Sequence, residues 1–356
     1  MSDCRILVGD VRATLPTLDT RSVRCVVTSP PYWGLRDYGC AGQLGLERTP
    51  EEYVVNLVAV FREARRVLAD DGTLWLNLGD SYSGDGRGGN PGDSPHIKQA
   101  SNEGSLGVRG VRRSPRKDKD LVGIPWMVAF ALQADGWYLR SDIIWAKPNG
   151  MPESVTDRPS VSHEHVFLLS KSGTYYYDNE AMRTPPAPST ETRLAQDVEA
   201  QAGSDRGNGG RKGKPMKAVG RKALPETQAR LGALRDKQRG HSRRHQGFNE
   251  RWDEMERSEQ VAGGARLRSV WWIAPAQYRG AHFAVMPERL ARLCILGGSA
   301  PGDTVLDPFA GSGTVGAVAI GHGRRAVLCE LNPAYADLAV QRVGPMYAVL
   351  AGSPRG

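Results

Sequence analysis

DTVLDPFAGSGTVGAVAIGHGRRAVLCELNPAYADLAV, residues 303–340, reads as strand, turn, helix, strand and helix in succession. Thr304 to Leu306 is a short apolar strand, and Gly311 and Gly313 punctuate the turn that follows it. A helix of small residues then leads to a second strand, Ala326 to Cys329, which ends on the acid Glu330. A glycine-rich turn of this kind lets backbone N–H groups and a helix N-terminus approach a ligand without side chains in the way. A carboxylate at the end of the second strand can accept both hydroxyls of a ribose, so the pattern points to a nucleoside ligand. Asn332 and Pro333 suit the N-cap and first position of the next helix. The turn lacks the third glycine of a dinucleotide fingerprint and carries Asp307 at the strand end. That substitution favours a ligand with a cationic amino acid end over a pyrophosphate.

A doubly wound sheet needs a third strand beside these two. The segment supplies only two strands and their helices, and CRILVGD, residues 4–10, is the expected third. Read circularly, the sheet runs from the C-terminal strands into the N-terminal ones. Outward from these anchors, RCVVTSPPYW (24–33) is a strand that runs into a Pro-Pro break, and residues 50–68 have helical spacing, with Tyr53, Leu57, Val60, Phe61, Ala64, Val67 and Leu68 on one face. DGTLWLNLGD (71–80) reads as a strand, LVGIPWMVAFALQADGWYL (121–139) as a helix with Pro125 in its first turn, and SDIIWAKP and HEHVFLLS as two further strands.

Two stretches lack globular patterning. Residues 84–120 are rich in Gly, Ser, Asp and Arg with no apolar period, which predicts a mobile loop. Between 184 and 264 apolar residues are sparse, and 201–250 holds thirteen Lys or Arg against Asp205, Glu226, Asp236 and Glu250. Such a run is either a solvated linker or an insert that meets nucleic acid. The formal net charge of +8 agrees with a polyanionic partner. The five cysteines form no CxxC pair, so neither a zinc site nor a disulfide framework is expected, and a reducing compartment fits. With no signal-like apolar stretch at the start and no run of eighteen apolar residues, the expectation is a cytoplasmic, bacterial or phage-encoded protein that avoids membranes.

DPFAGSGT resembles the S-adenosylmethionine-binding motif of amino-group DNA methyltransferases, and HFAVMPERLARLCILGGS (282–299) resembles the element these enzymes place over the methionine end of that cofactor. The resemblance implies that Asp307, Phe309, Gly311, Ser312, Gly313 and Thr314 contact the cofactor and that Glu330 holds its ribose. His282, Phe283 and Pro287 would cover it, and Asp10 would meet its adenine amine.

TSPPYWGLRDYG (28–39) supplies a chemistry that can be argued from the residues. An exocyclic base amine is a poor nucleophile because its lone pair is delocalised into the ring, so the nitrogen must be drawn toward sp³ geometry. The Ser29 hydroxyl and the Pro30 carbonyl are two acceptors for its two N–H groups, and the consecutive prolines, Pro30 and Pro31, fix the backbone that aims them. Tyr32 can stack on an extruded base. With the catalytic motif ahead of the cofactor motif and a basic region between, the chain resembles the beta class of the N4-cytosine/N6-adenine methyltransferases. That resemblance implies a catalytic half (1–183), a target-recognition insert (184–264) and a cofactor-binding half (265–356) of one α/β, circularly permuted, doubly wound methyltransferase domain. It also marks Trp33, Lys147 and Pro148 as base-pocket residues.

Family members with SPPY are mostly cytosine-N4 enzymes, and those with Asp in place of Ser mostly adenine-N6 enzymes. Ser29 therefore implies methylation of cytosine N4 in double-stranded DNA, with adenine N6 as the alternative. Cytosine C5 chemistry would need a thiolate, usually from a Pro-Cys pair, and none occurs. Direct transfer without a covalent intermediate or a metal is expected. An RNA or protein-glutamine methyltransferase, or an inactive DNA-binding homologue, stays open, as do a homodimer and a separate restriction endonuclease. The His163–Glu164–His165 run has no third ligand in view and reads as structural. Trp145, Trp271 and Trp272 read as core.

Overall fold

The computed structural model describes residues 3–83, 116–150, 153, 155–184, 264–276, 285–344 and 347–351. Residues 84–115 of the expected loop and 185–263 of the basic insert lie outside these. Residues 116–120 are not open loop: the Ser83 N–H donates to Asp120 O at 2.8 Å and the Lys119 N–H to Ser83 O at 2.7 Å.

Strand β1 (Cys4–Val8) has a fully buried Cys4 and Ile6 and leads to Asp10, whose carboxylate accepts from the Arg12 N–H and caps the short helix α1 (Val11–Thr14). Strand β2 (Val23–Thr28) ends as it reaches Pro30 and Pro31, which have no N–H for a ladder. Helix α2 (Pro50–Val67) begins where Thr49 accepts from the Glu52 N–H at 3.2 Å. Glu51 and Glu52 in its first turn and Arg65 and Arg66 in its last complement the helix dipole. Its Tyr53, Leu57, Phe61 and Ala64 stripe is fully buried.

Leu68, read from its spacing as helical, is already extended and opens strand β3 (Leu68–Leu78). Helix α3 (Ile124–Ala134) is shorter than the periodicity of 121–139 suggests. Gly136, at φ +100°, turns the chain, and Tyr138 starts strand β4 (Tyr138–Ala146). Strand β5 (His163–Ser170) follows. Then come the two-residue strands β6 (Arg183–Thr184) and β7 (Ala265–Arg266) and the short β8 (Val270–Trp272). Helix α4 (Glu288–Gly298), β9 (Thr304–Asp307), α5 (Thr314–Gly321), β10 (Arg325–Glu330), α6 (Pro333–Val343) and β11 (Tyr347–Ala351) complete the order.

The chain divides into two compact units, residues 1–182 with 268–356, and residues 183–267. In the second, β6 and β7 pair antiparallel. In the first, nine strands form one sheet in the order β11-β1-β10-β9-β2-β3-β5-β4-β8. The pairs from β11 to β3 are all parallel, β5 is antiparallel to both its neighbours, and β8 is parallel to β4. This is the doubly wound, mostly parallel sheet expected, with the N-terminal β1 beside the C-terminal β10.

Two further expectations are corrected. The C-terminal part holds a third strand, β11, which pairs with β1 on the side away from β10, so β1 is an interior strand. Trp271 is buried, but Trp272 is 66% exposed because alternation along β8 turns it to the other face.

The topology gathers one edge. From β9 the chain crosses to β10, from β2 it crosses the other way to β3, and these two strands are neighbours. Ligands of open α/β sheets bind at such a switch point, outside the carboxyl ends of the strands. Because β5 runs backwards, its first residues rather than its last reach the same edge, where Glu164 pairs with Trp145 near the end of β4.

Candidate active site

The carboxyl ends of β9 and β2 are joined side chain to side chain: Thr28 Oγ1 donates to Asp307 Oδ1 at 2.6 Å. The other donor to that oxygen is the Phe309 N–H, at 3.0 Å, so the first residues of the glycine turn are tied to the strand that carries the SPPY tetrapeptide. Asp307 is 3% exposed, and burial pushes its carboxyl up to about 7 against the opposing pull of these hydrogen bonds. Glu330, at the end of β10, is also buried and raised, its Oε2 accepting from the Gly311 N–H at 2.7 Å and its Oε1 from the Asn332 N–H at 2.8 Å. Two buried carboxyls thus flank one glycine turn. Gly311 (φ +52°) has open space where a Cβ would stand. A Cβ on Gly313 (φ +76°) would lie 2.8 Å from Ala339 Cβ, so this glycine allows α5 to pack on α6.

Both acids border a cleft of about 270 Å³. One end is formed by Asp10, Phe309, Gly311, Ser312, Thr314 and Glu330, with Tyr38 and Tyr335, whose rings meet edge to face at 6.2 Å. Burial works against the charge of Asp10, but the hydrogen bonds and charge of Arg12 outweigh it and hold the carboxyl below its ordinary range.

The other end is formed by Ser29, Pro30, Pro31, Tyr32, Asn77, Trp145, Lys147 and Glu164. Tyr53, from α2, donates its hydroxyl proton to the Pro31 carbonyl at 2.8 Å and anchors the tetrapeptide to the core. The Tyr32 hydroxyl donates to Glu164 Oε2 at 2.6 Å. Burial, then the charge of Glu164, raises the Tyr32 phenol well above its ordinary value, so it keeps its proton. Asn77, at the carboxyl end of β3, donates to the Tyr32 oxygen and to Glu164 Oε2, each at 2.9 Å, and lies 3.3 Å from Ser29 Oγ. Lys147 pairs with Glu164 Oε1, and its ammonium lies 4.6 Å from the centre of the Trp145 ring. Gly79 lets the Tyr32 ring lie close, since a Cβ there would be 2.6 Å from Tyr32 Cε2.

A family model described as DNA methylase matches residues 23–341, which takes in the SPPY tetrapeptide and the glycine turn with Glu330. The chain belongs to the DNA methylase family. The methylase is similar to the type II methyltransferase M.SmaI of Serratia marcescens, with 41% identity over 344 residues that cover 96% of this chain and 91% of the relative. Its fold is similar to that of TTHA0409 of Thermus thermophilus, determined in complex with S-adenosyl-L-methionine (TM-score 0.53, 22% identity, 99% of each chain). It is also similar in fold to the cytosine-N4-specific PvuII DNA methyltransferase (TM-score 0.52, 16% identity, 97% of this chain and 89% of the other).

Of the residues singled out from the sequence, the cleft of the methylase brings together Asp10, Ser29, Pro30, Pro31, Tyr32, Lys147, Asp307, Phe309, Gly311, Ser312, Thr314 and Glu330. Gly313 stands behind the turn. Trp33 is not a pocket residue: it is buried in the core beneath the turn, its indole N–H donating to Glu47 O at 3.0 Å. Pro148 is exposed and does not line the cleft, and Pro287 is the N-cap of α4. His282 and Phe283 lie outside the described residues. Trp145, read as core, is 5% exposed and lines the cleft as well.

Asn77 and Glu164 were not anticipated as site residues. Glu164 drew notice only between two histidines, and Asn77 is the one polar residue in the buried run Leu74–Leu78, which is a signal in itself. His165 Nδ1 lies 2.9 Å from Asp142 Oδ1 and its ring stacks on Phe167, a packed arrangement. No cluster of three or more His, Cys, Asp or Glu that could hold a metal occurs among the described residues, and none of their helices is long and apolar enough to cross a membrane.

Proposed function

We propose that this methylase transfers a methyl group from S-adenosylmethionine to the exocyclic N4 of cytosine in double-stranded DNA. The observation that carries the reading is that Ser29 and the Asp307-to-Gly311 turn border the same cleft at one edge of one sheet.

The residues fit the cofactor. Glu330 is a buried acceptor beside the glycine turn, suited to ribose hydroxyls, and its backbone partners leave lone pairs available. Gly311 opens room for close approach, and Asp307 offers a buried carboxyl to a cationic end. Tyr38, Tyr335 and Phe309 supply apolar surface for an adenine ring, with Asp10 as the acceptor for its amine. When bound, S-adenosylmethionine supplies an electrophilic methyl group on a sulfonium.

At the other end, Ser29 Oγ and the Pro30 carbonyl accept the two N–H groups of the amine and draw its lone pair out of conjugation. Tyr32 stacks on the extruded base, and the cleft walls keep water from competing. These hydrogen bonds strengthen as the amine gains positive charge, which is where binding contributes to rate. The hydroxyl of Ser29, in place of a carboxylate, favours cytosine N4 over adenine N6. Residues 184–264 act as the target-recognition insert, their Lys and Arg contacting phosphates while a few side chains read base edges.

Methyl transfer under saturating cofactor tests these roles. Ser29→Ala and Tyr32→Ala each slow it by at least about tenfold, and wild-type rates in both variants would overturn the assignment.

A further inference from the structure

Ser29 ends a hydrogen-bonded chain that begins at Lys147, and the chain has a direction. Lys147 pairs with Glu164 Oε1, held over the Trp145 ring as it does so. Glu164, a carboxylate facing an ammonium, has only acceptors to offer. The one proton of the Tyr32 hydroxyl therefore goes to Glu164 Oε2, at 2.6 Å. Asn77 Nδ2 is a donor with two hydrogens, directed to the Tyr32 oxygen and to Glu164 Oε2. The reverse orientation of the amide would set its oxygen against the carboxylate, which decides the assignment. The Tyr32 oxygen then has a lone pair left, and Ser29 Oγ, 3.3 Å away, donates to it. The protons of Tyr32 and Ser29 are committed, Asn77 Nδ2 also lies 3.3 Å from Ser29 Oγ, and what Ser29 has to offer the substrate is acceptor capacity.

We propose that Glu164 is a positioning residue which, through the Tyr32 hydroxyl, fixes the Ser29 hydroxyl so that it presents a lone pair to the substrate amine. This rests on the amino-transfer reading above and extends it. A free serine hydroxyl can point its proton either way, and in one of those directions it would confront the N–H of the amine with an O–H. The network removes that direction before substrate arrives, at a site where Glu164 is only 15% exposed and water is a poor competitor. It also gives the phenol oxygen of Tyr32 a task separate from stacking, which needs only the ring.

Tyr32→Phe and Glu164→Gln separate the two tasks, since the first removes one oxygen and keeps the ring, and the second keeps shape but offers a donor where an acceptor stood. Single-turnover methylation of duplex DNA is measured with the full-length protein, together with calorimetric S-adenosylmethionine affinity and the KM for DNA. The expected result is a loss of about tenfold to a hundredfold in rate for each variant, with cofactor affinity and KM within twofold of wild type. The double variant should be no slower than the slower single variant, because both break one chain. Wild-type turnover by Tyr32→Phe, or losses that multiply in the double variant, would overturn the proposal even if Glu164→Gln proves less stable. A wild-type protein that methylates no amine would overturn the amino-transfer reading as well, and the same assay shows this before any variant is made.

Discussion

Thr28 and Asp307 are 279 positions apart in the chain, yet the threonine hydroxyl donates a 2.6 Å hydrogen bond to the buried carboxyl. That bond joins the strand leading into SPPY to the strand leading into the glycine turn. It is the point at which two distant motifs become one cleft, and the titration of Asp307 reports on it.

Burial raises the Asp307 carboxyl from its ordinary 3.8 to about 7. The folded protein therefore holds this proton more tightly than the unfolded chain, and the contribution to stability declines as pH rises from about 4 through about 7. Asp307→Asn removes the titration. The stability of wild type relative to this variant should fall by about 2–3 kcal/mol between pH 5 and pH 8, as read from urea melts of the cofactor-free protein at those two values. A difference that stays constant with pH would contradict the buried, protonated carboxyl.

Gly313→Ala should destabilise the domain by about 2–3 kcal/mol. The backbone there is left-handed, and the new methyl would stand 2.8 Å from Ala339 Cβ and 2.9 Å from its Cα. Thermal and urea melts measure the loss, and a change below about 0.5 kcal/mol, the range of a neutral surface substitution, would show that α5 and α6 separate easily.

Gly79→Ala should act on rate more than on stability. Its backbone has no left-handed strain, but the added Cβ would meet the edge of the Tyr32 ring at 2.6 Å. A displacement of the stacking ring by even a fraction of an ångström should lower methyl transfer by about tenfold or more, with S-adenosylmethionine affinity within twofold. Parallel loss of cofactor affinity would mean that the two ends of the cleft are not independent.

Deletion of residues 201–250 should abolish binding to duplex DNA and leave cofactor binding intact, because the thirteen cations of this stretch are the proposed phosphate contacts. Gel-shift and calorimetric titrations of the same preparation check both halves of the statement. Unchanged DNA affinity would make the stretch a linker.

Much of the fold was legible because the deciding elements are local. The glycine turn, the acid after the next strand and the Asn-Pro helix start each follow from neighbouring residues, and β1 does lie beside β10 as the circular reading has it, although the count of two C-terminal strands behind that reading was one short. What depends on long-range pairing was not. Strand β11 is bounded by Gly344-Pro345 and Gly352, but nothing in its five residues says which strand they pair with, and its place beside β1 comes only from the sheet. Glu164 reaches the site because β5 runs antiparallel, which brings the start of that strand to the edge where its neighbours end. Trp33 adjoins the tetrapeptide in sequence, and the resemblance marks it as a base-pocket residue. The turn sends its ring into the core instead, where Glu47 O satisfies the indole. Trp272 shows the converse, since adjacent residues of a strand point to opposite faces and only Trp271 is turned to the core.

Nucleoside mass spectrometry of DNA from a host without methylases of its own, with and without this protein expressed, tests the central claim most directly. The account predicts N4-methylcytosine that appears only with expression and disappears in Ser29→Ala. N6-methyladenine with no N4-methylcytosine would contradict the choice of base, and unmodified DNA from cells containing the folded protein would contradict the assigned reaction itself.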